Sequence, residues 1–269
     1  EVEALGTYMN GGGKLLVLLD PPPSTETPTP DGLLQLIGEW GVEAGTDVVV
    51  DGSGMGQLFG ADASVPVAAD YPFHPITEQF NLLTAYPLAR SISASTVPVP
   101  GRIPQSFIET SPQSWAEANI DALTGGEVEL NEEVGDRPGP IAIGVAVSAP
   151  APNPAPPTDA AAPENADAGD PATPVDEPGD PPESRLAVIG DSDFATNGVV
   201  GIQGNRDMFL NAVSWLAQQE NLIAIRPREP DDRRLTITAD QQRRLFWLSI
   251  LFIPAAVLGA GVYTWWRRR

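Results

Sequence analysis

The sequence predicts an α/β protein with a partial, doubly wound sheet, a long disordered insertion and one C-terminal transmembrane helix. Three observations predict this. Apolar runs alternate with amphipathic segments, a Pro/Ala/Asp-rich stretch separates two of those runs, and an uncharged apolar run of 22 residues lies near the C-terminus. The predicted parts are an α/β domain over 1–147 and 185–225, an insertion over 148–184, an arginine-rich connector over 226–244, a transmembrane helix over 245–266 and a tail over 267–269.

The first elements resemble one parallel unit of such a sheet. Residues 14–19 (KLLVLL) lie between glycines and prolines, which is typical of a buried strand. Asp31 can cap a helix over 32–40, and the valines at 48–50 form the next buried run. Strand, helix and strand in this order predict a right-handed parallel crossover.

Later segments complete the same domain. Residues 52–139 are less periodic and predict irregular strands and loops. The apolar runs 141–147 and 186–189 predict strands, and 205–219 predicts an amphipathic helix. Residues 222–225 (LIAI) are a candidate edge strand.

The insertion differs from the rest of the chain in composition. Residues 148–184 contain eleven prolines, nine alanines and eight acidic residues, without lysine or arginine. Such a segment cannot bury enough apolar surface to offset the entropy of ordering it, so we expect an extended, disordered loop. It lies between two predicted strands of one sheet, so it interrupts the domain.

The run over 245–266 has the length and flanks of a membrane anchor. As a helix it reaches about 33 Å, and a hydrocarbon core is about 30 Å thick. A buried core helix is the alternative interpretation. The anchor prediction uses apolar and aromatic residues at its ends, a central proline and a terminal basic cluster: Leu245, Trp247, Pro254, Trp265, Trp266, Arg267, Arg268 and Arg269.

Charge is distributed unevenly along the chain. Residues 1–225 carry a net charge of −26 and residues 226–269 a net charge of +5. The acidic part repels nucleic acid and anionic lipid, so nucleic acid is excluded as a partner, whereas the arginines can contact lipid headgroups of a bilayer. With no cysteine, the chain has no disulfide, thiolate nucleophile or cysteine-bound metal.

Four aspartates follow predicted strands and are the only candidate metal ligands. Asp20, Asp51, Asp191 and Asp193 would bind magnesium or calcium if their strands ended at one edge of a sheet. The favoured alternative is that each carboxylate caps the next turn. A glycine-rich loop at 52–56 has neither phosphate-binding pattern, and His74 is interpreted as structural. No catalytic residue or cofactor is predicted.

Several motifs together resemble a known family. Residues 11–22 (GGGKLLVLLDPP), 36–42 (LIGEWGV), 110–115 (TSPQSW), 184–198 (SRLAVIGDSDFATNG) and 204–238 resemble, in order, the GldG-like auxiliary proteins of ABC-type transport systems associated with gliding motility. The resemblance implies a sheet like that of class I glutamine amidotransferases, here without the cysteine nucleophile. It also implies an extracytoplasmic domain beside an ABC permease and its ATPase. The chain starts at Glu1 inside such a domain, so we expect a missing N-terminal portion.

These features predict a non-enzymatic accessory subunit of an ABC-type transport complex, anchored in the bacterial inner membrane with its C-terminus in the cytoplasm. Arginine counts alone would favour a cytoplasmic domain, but long domains cross membranes largely regardless of charge. A peripheral subunit of another large membrane complex is the alternative. A hydrolase using a metal at Asp20, Asp51 and Asp191 is a third hypothesis.

Overall fold

The computed structural model describes residues 1–23, 29–120, 123, 129–153 and 182–218, together with 254 and 262–268. The chain divides into two compact units, residues 1–226 and 227–269. The described part of the first unit has three α-helices, α1 (Val2–Asn10), α2 (Asp31–Glu39) and α3 (Asn205–Leu216). Its strands are β1 (Lys14–Leu18), β2 (Val42–Ala44), β3 (Val48–Asp51), β4 (Val67–Ala68), β5 (Thr84–Ala85), β6 (Ile92–Ala94), β7 (Gln105–Glu109), β8 (Ser114–Glu117), β9 (Arg137–Pro138), β10 (Ala142–Pro150) and β11 (Glu183–Ile189).

The largest sheet has four strands in the order β1-β11-β10-β7. β1 runs parallel to β11, with Leu16 opposite Ala187, while β10 runs antiparallel to both β11 and β7. β10 and β11 are central, and their near-continuous apolar sequences are buried on both faces.

Each face of this sheet packs against its own cluster of buried side chains. One cluster joins Ile143, Ala187 and Ile189 to α3 residues, among them Met208 and Trp215. The other joins sheet residues to Met9 of α1 and to residues of α2: its sheet members include Val17, Val145, Leu186 and Val188, and its α2 member is Ile37. The sheet therefore has α3 on one face and α1 and α2 on the other.

The predicted doubly wound parallel sheet of the glutamine amidotransferase type is wrong. The described residues form a mixed α/β fold with one four-stranded sheet and three smaller ones, β2-β6, β3-β8-β9 and β4-β5. β3 pairs antiparallel with β8, so β1, α2 and β3 are not a parallel unit. The apolar run at 48–50 shows that a strand is buried, but it contains no information about its pairing partner.

The predicted C-terminal transmembrane helix is not seen either. None of the helices that the structure describes is long and apolar enough to cross a membrane. Residues 262–267, which include Trp265, Trp266 and Arg267, are helical and exposed. Leu245, Trp247, Arg269 and residues 222–225 lie outside the described residues, whereas Pro254 and Arg268 lie within them and are exposed.

The strands beside the insertion extend further than their sequences predicted. β10 continues to Pro150 and β11 begins at Glu183, and these two residues are opposite each other in the antiparallel ladder. The insertion therefore connects the ends of two adjacent strands. Residues 154–181 lie outside the described residues, and their disorder stays a prediction.

Candidate functional site

Asp20 and Asp191 lie at one edge of the main sheet because they follow β1 and β11, which are parallel neighbours. Both carboxylate oxygens of Asp20 accept hydrogen bonds from Ser192, one from its backbone N–H at 2.6 Å and one from its hydroxyl at 2.7 Å. These bonds tie the end of β1 to the turn after β11. Asp20 thus holds two loops together at the carboxyl edge of the sheet.

Asp191 is buried at this edge, and among the described residues only one of its two carboxyl oxygens has a hydrogen-bond partner. Its Oδ1 accepts a hydrogen bond from the Asp193 N–H at 2.7 Å, while its Oδ2 has no hydrogen-bond partner in the described part of the chain. Burial raises the pKa of Asp191 to about 8, against the Asp193 N–H bond, and the carboxylates of Asp20 and Asp193 add to the rise. At neutral pH the Asp191 carboxyl group is therefore mostly protonated.

Tyr86 carries the second unpartnered buried group of the described residues. Its ring packs against Phe194 with centroids 5.4 Å apart, and its hydroxyl has no hydrogen-bond partner in those residues. Burial is the main cause that raises the pKa of Tyr86 well above its usual value, and the charge of Asp191 contributes. The Asp191 carboxyl and the Tyr86 hydroxyl therefore lie in the same low-dielectric interior.

Asp51 does not join this edge. It ends β3, where its Oδ1 accepts from the Ser53 N–H and the Ser111 hydroxyl, both at 2.9 Å, and its Oδ2 accepts from the Val67 N–H at 3.3 Å. Of the predicted metal ligands the structure thus brings together Asp20, Asp191 and Asp193, but not Asp51. In the ranges it describes, no three histidine, aspartate or glutamate side chains are placed to hold a metal ion.

Arg90 is a buried arginine that the sequence analysis missed. Its guanidinium donates to the Gly45 carbonyl, to the Asp20 carbonyl at 3.1 Å and to the Thr29 hydroxyl at 2.8 Å. Burial lowers the pKa of Arg90, while the charges of Asp47 and Asp20 oppose that shift. Arg90 joins the end of β1 to the turn between β2 and β3. In the sequence, the only signal that Arg90 is buried is its position within a largely apolar stretch.

A polar cavity of about 330 Å³ lies beside this turn. Arg137 of β9 donates from Nη2 to Asp47 Oδ2 at 2.7 Å and to the Ser91 hydroxyl at 2.6 Å. Asp47 also accepts from the Ser91 N–H at 2.9 Å and from its hydroxyl at 2.8 Å. Glu43, Thr46 and Ser93 contribute further polar groups to the lining. The residues come from four separate segments, so no sequence motif marks the cavity.

The remaining candidates have structural surroundings. His74 is buried, accepts the Ile76 N–H on Nδ1 at 3.1 Å, and lies 5.1 Å from the Trp215 ring. In the glycine-rich loop, Gly54 has a φ of 75° and precedes a short 3₁₀ helix, Met55–Phe59. Neither arrangement presents a nucleophile or a set of convergent backbone donors.

Comparison with known proteins gives one strong relationship. No curated protein matches the chain. A solved structure described as "mmIFT52 N-terminal domain" matches 80% of this chain and 69% of its own, with 15% identity and a TM-score of 0.47, which is too low to carry an argument. The family model described as "ABC-type uncharacterized transport system" matches residues 1–218, a range that includes β1 to β11. This match confirms the GldG-like resemblance. The chain therefore belongs to this family of auxiliary proteins of ABC-type transport systems.

Proposed function

We propose that this protein is a non-enzymatic accessory subunit that binds or positions partner proteins of an ABC-type transport complex. The family match over residues 1–218 carries the proposal, because it covers the whole described α/β unit. The expected partners are the permease and the ATPase of the transporter.

The surroundings of the polar groups support a binding role over catalysis. The carboxylates of Asp20 and Asp51 each accept hydrogen bonds from loop residues, and they lie at the ends of strands from different sheets, Asp20 after β1 and Asp51 at the end of β3. A metal-dependent hydrolase needs several ligands around one open coordination position. The arrangement of these aspartates favours loop connection instead.

Purification of the tagged full-length chain in mild detergent tests the proposal. We expect the permease and the ATPase to co-elute with it and to be identified by mass spectrometry. A tagged, unrelated acidic protein from the same membranes is the control for non-specific capture. Recovery of the chain without either transporter component would contradict the proposed function.

The side of the membrane is a separate part of the proposal. We expect the α/β unit to work on the extracytoplasmic side of the inner membrane, as the family resemblance implies. Protease added to intact spheroplasts should then degrade it, while a cytoplasmic marker protein survives. Complete protection of the α/β unit would place it in the cytoplasm.

A further inference from the structure

β1 forms an outer edge of the main sheet, and β11 is its only strand partner within the described ranges. The Arg185 N–H donates to the Gly13 carbonyl at 3.1 Å, and the Leu19 N–H donates to the Ile189 carbonyl at 2.9 Å. Alternate residues of a parallel strand direct their backbone groups to the same side. The odd-numbered residues of 13–19 therefore face β11, and the even-numbered residues face outward.

Two outward-facing residues of β1 have backbone groups without a partner among the described residues. At Lys14, the Tyr8 hydroxyl takes both positions, accepting from the N–H at 3.1 Å and donating to the carbonyl at 3.3 Å. In the described part of the chain, the N–H and carbonyl groups of Leu16 and Leu18 have no such partner. They present the hydrogen-bonding pattern that one more strand would complete.

The side chains around this edge are apolar on both faces. Leu16 and Leu18 are partly buried against the α3 side of the sheet, and Leu15 is partly buried against the α2 side. Proteins usually protect a strand edge with a charge, a proline or a bulge, and the centre of β1 has none of these. An added strand would need apolar side chains on both of its faces.

The negative charge of residues 1–225 indicates which kind of segment can pair with the outer edge of β1. A second copy would bring another region of −26 net charge to the first, so pairing of two β1 edges is opposed by repulsion. The exposed Asp20 and Asp193 lie at the carboxyl end of β1. A segment with a basic residue beside its apolar run complements this end of the edge.

We propose that the outer edge of β1 binds an extended segment of a partner subunit, apolar on both faces and flanked by lysine or arginine, through backbone hydrogen bonds to Leu16 and Leu18. This is β-strand addition, in which main-chain bonds supply affinity and side-chain contacts supply specificity. It deepens the proposed function, on which it rests, by naming a surface and a kind of partner.

A proline substitution separates the contribution of the Leu16 backbone N–H to peptide binding from the contribution of the Leu16 side chain. Leu16→Pro removes the outward N–H and breaks no hydrogen bond to β11, and proline is tolerated on an edge strand. Leu16→Ala is the matched control, because it shortens the side chain and keeps the N–H. The probe is a fluorescein-labelled synthetic peptide, a run of valines and isoleucines between paired lysines, added to the full-length protein.

We expect Leu16→Pro to weaken peptide binding by about tenfold or more, as one lost hydrogen bond of about 1.4 kcal/mol requires, and Leu16→Ala to weaken it by less than about threefold. In the unsubstituted protein, the peptide should slow hydrogen exchange at the amides of Leu16 and Leu18. This measurement keeps the proposal testable if Leu16→Pro does not fold. No peptide binding, or equal binding by both variants, overturns the proposal.

Amides of Leu16 and Leu18 that are already protected in the free full-length chain also overturn it. In that case a segment of the chain itself, such as 222–225, occupies the edge. If Leu16→Pro folds and still co-purifies with the permease and the ATPase, the edge is not their docking site. The proposed accessory function would stand in that case, because co-purification tests it separately.

Discussion

Asp191 contributes a pH dependence to the stability of the fold. Burial raises its pKa to about 8, so the folded chain holds a proton that the unfolded chain releases above about pH 4. The stability from this group is therefore fully present below about pH 4 and is lost as pH rises through about 8. Each unit of pKa shift corresponds to about 1.4 kcal/mol, so we expect a loss of a few kcal/mol across this range.

Asp191→Asn should remove most of that dependence, because asparagine has nearly the shape of the neutral acid and cannot ionise. We expect the variant to be more stable than the unsubstituted protein at pH 9, and by a smaller margin at pH 5, where only about one pH unit of the loss has occurred. Urea unfolding at pH 5, 7 and 9 measures this. Asp70→Asn, at an exposed position, should leave the profile unchanged. Identical pH profiles for Asp191→Asn and the unsubstituted protein would show that Asp191 ionises normally.

Gly190 is needed where the end of β11 meets the backbone of Arg90. A Cβ at this position would clash with the Arg90 carbonyl oxygen, and the Arg90 N–H donates to the Gly190 carbonyl at 2.7 Å. Backbone atoms cannot move aside cheaply, so Gly190→Ala should cost about 1–3 kcal/mol of unfolding free energy.

Gly198→Ala is the matched control for this substitution, since its Cβ would enter open space in an exposed turn. Denaturant unfolding of the two alanine variants under one condition compares them directly. We expect Gly198→Ala to lie within about 0.5 kcal/mol of the unsubstituted protein. Equal stability of Gly190→Ala and Gly198→Ala would mean that the Arg90 contact is looser than described.

The hairpin of β10 and β11 tests the interpretation of the insertion. Pro150 and Glu183 are opposite each other, so the two strands can be joined by a short turn once 154–181 is deleted. Closing a flexible loop costs about 0.6 kcal/mol for each doubling of its length. If the insertion is disordered, we expect the deletion variant to be more stable by about 1–2 kcal/mol in urea unfolding.

A variant in which 154–181 is replaced by a glycine–serine linker of equal length separates loop length from charge. It loses the acidic residues of the insertion but keeps the closure cost, so its stability should lie nearer that of the unsubstituted protein. If the deletion destabilises the protein, the insertion makes contacts that stabilise the fold, and its predicted disorder is wrong.

The sequence predicted individual elements of the α/β unit better than their arrangement. The apolar runs at 14–19, 141–147 and 186–189 match β1, β10 and β11, because burial of a strand depends on its local sequence. The pairing of β3 with β8 depends on residues more than sixty positions apart, which a local pattern does not contain. The cavity around Arg137 has the same origin, since Asp47 and Ser91 reach it from distant turns.

The charge of the whole molecule predicts how salt changes its stability. The chain has a net charge of −21, and −26 lies within residues 1–225. Repulsion among these carboxylates disfavours the compact state, and at 0.1 M ionic strength the screening length falls to about 10 Å. We therefore expect the thermal midpoint of unfolding to rise when sodium chloride is increased from about 0.01 to 0.3 M.

The rise should be smaller for the variant whose insertion is replaced by the glycine–serine linker, because that variant carries fewer carboxylates. Calorimetric scans of both proteins across the salt series, at constant pH, measure the difference. Salt weakens the net repulsion among carboxylates, which stabilises the fold, and it also weakens local ion pairs, which destabilises the fold. The two effects of salt on the midpoint therefore have opposite signs. A midpoint that falls with salt would mean that local pairs such as Arg137 with Asp47 and Arg185 with Glu183 outweigh the net repulsion.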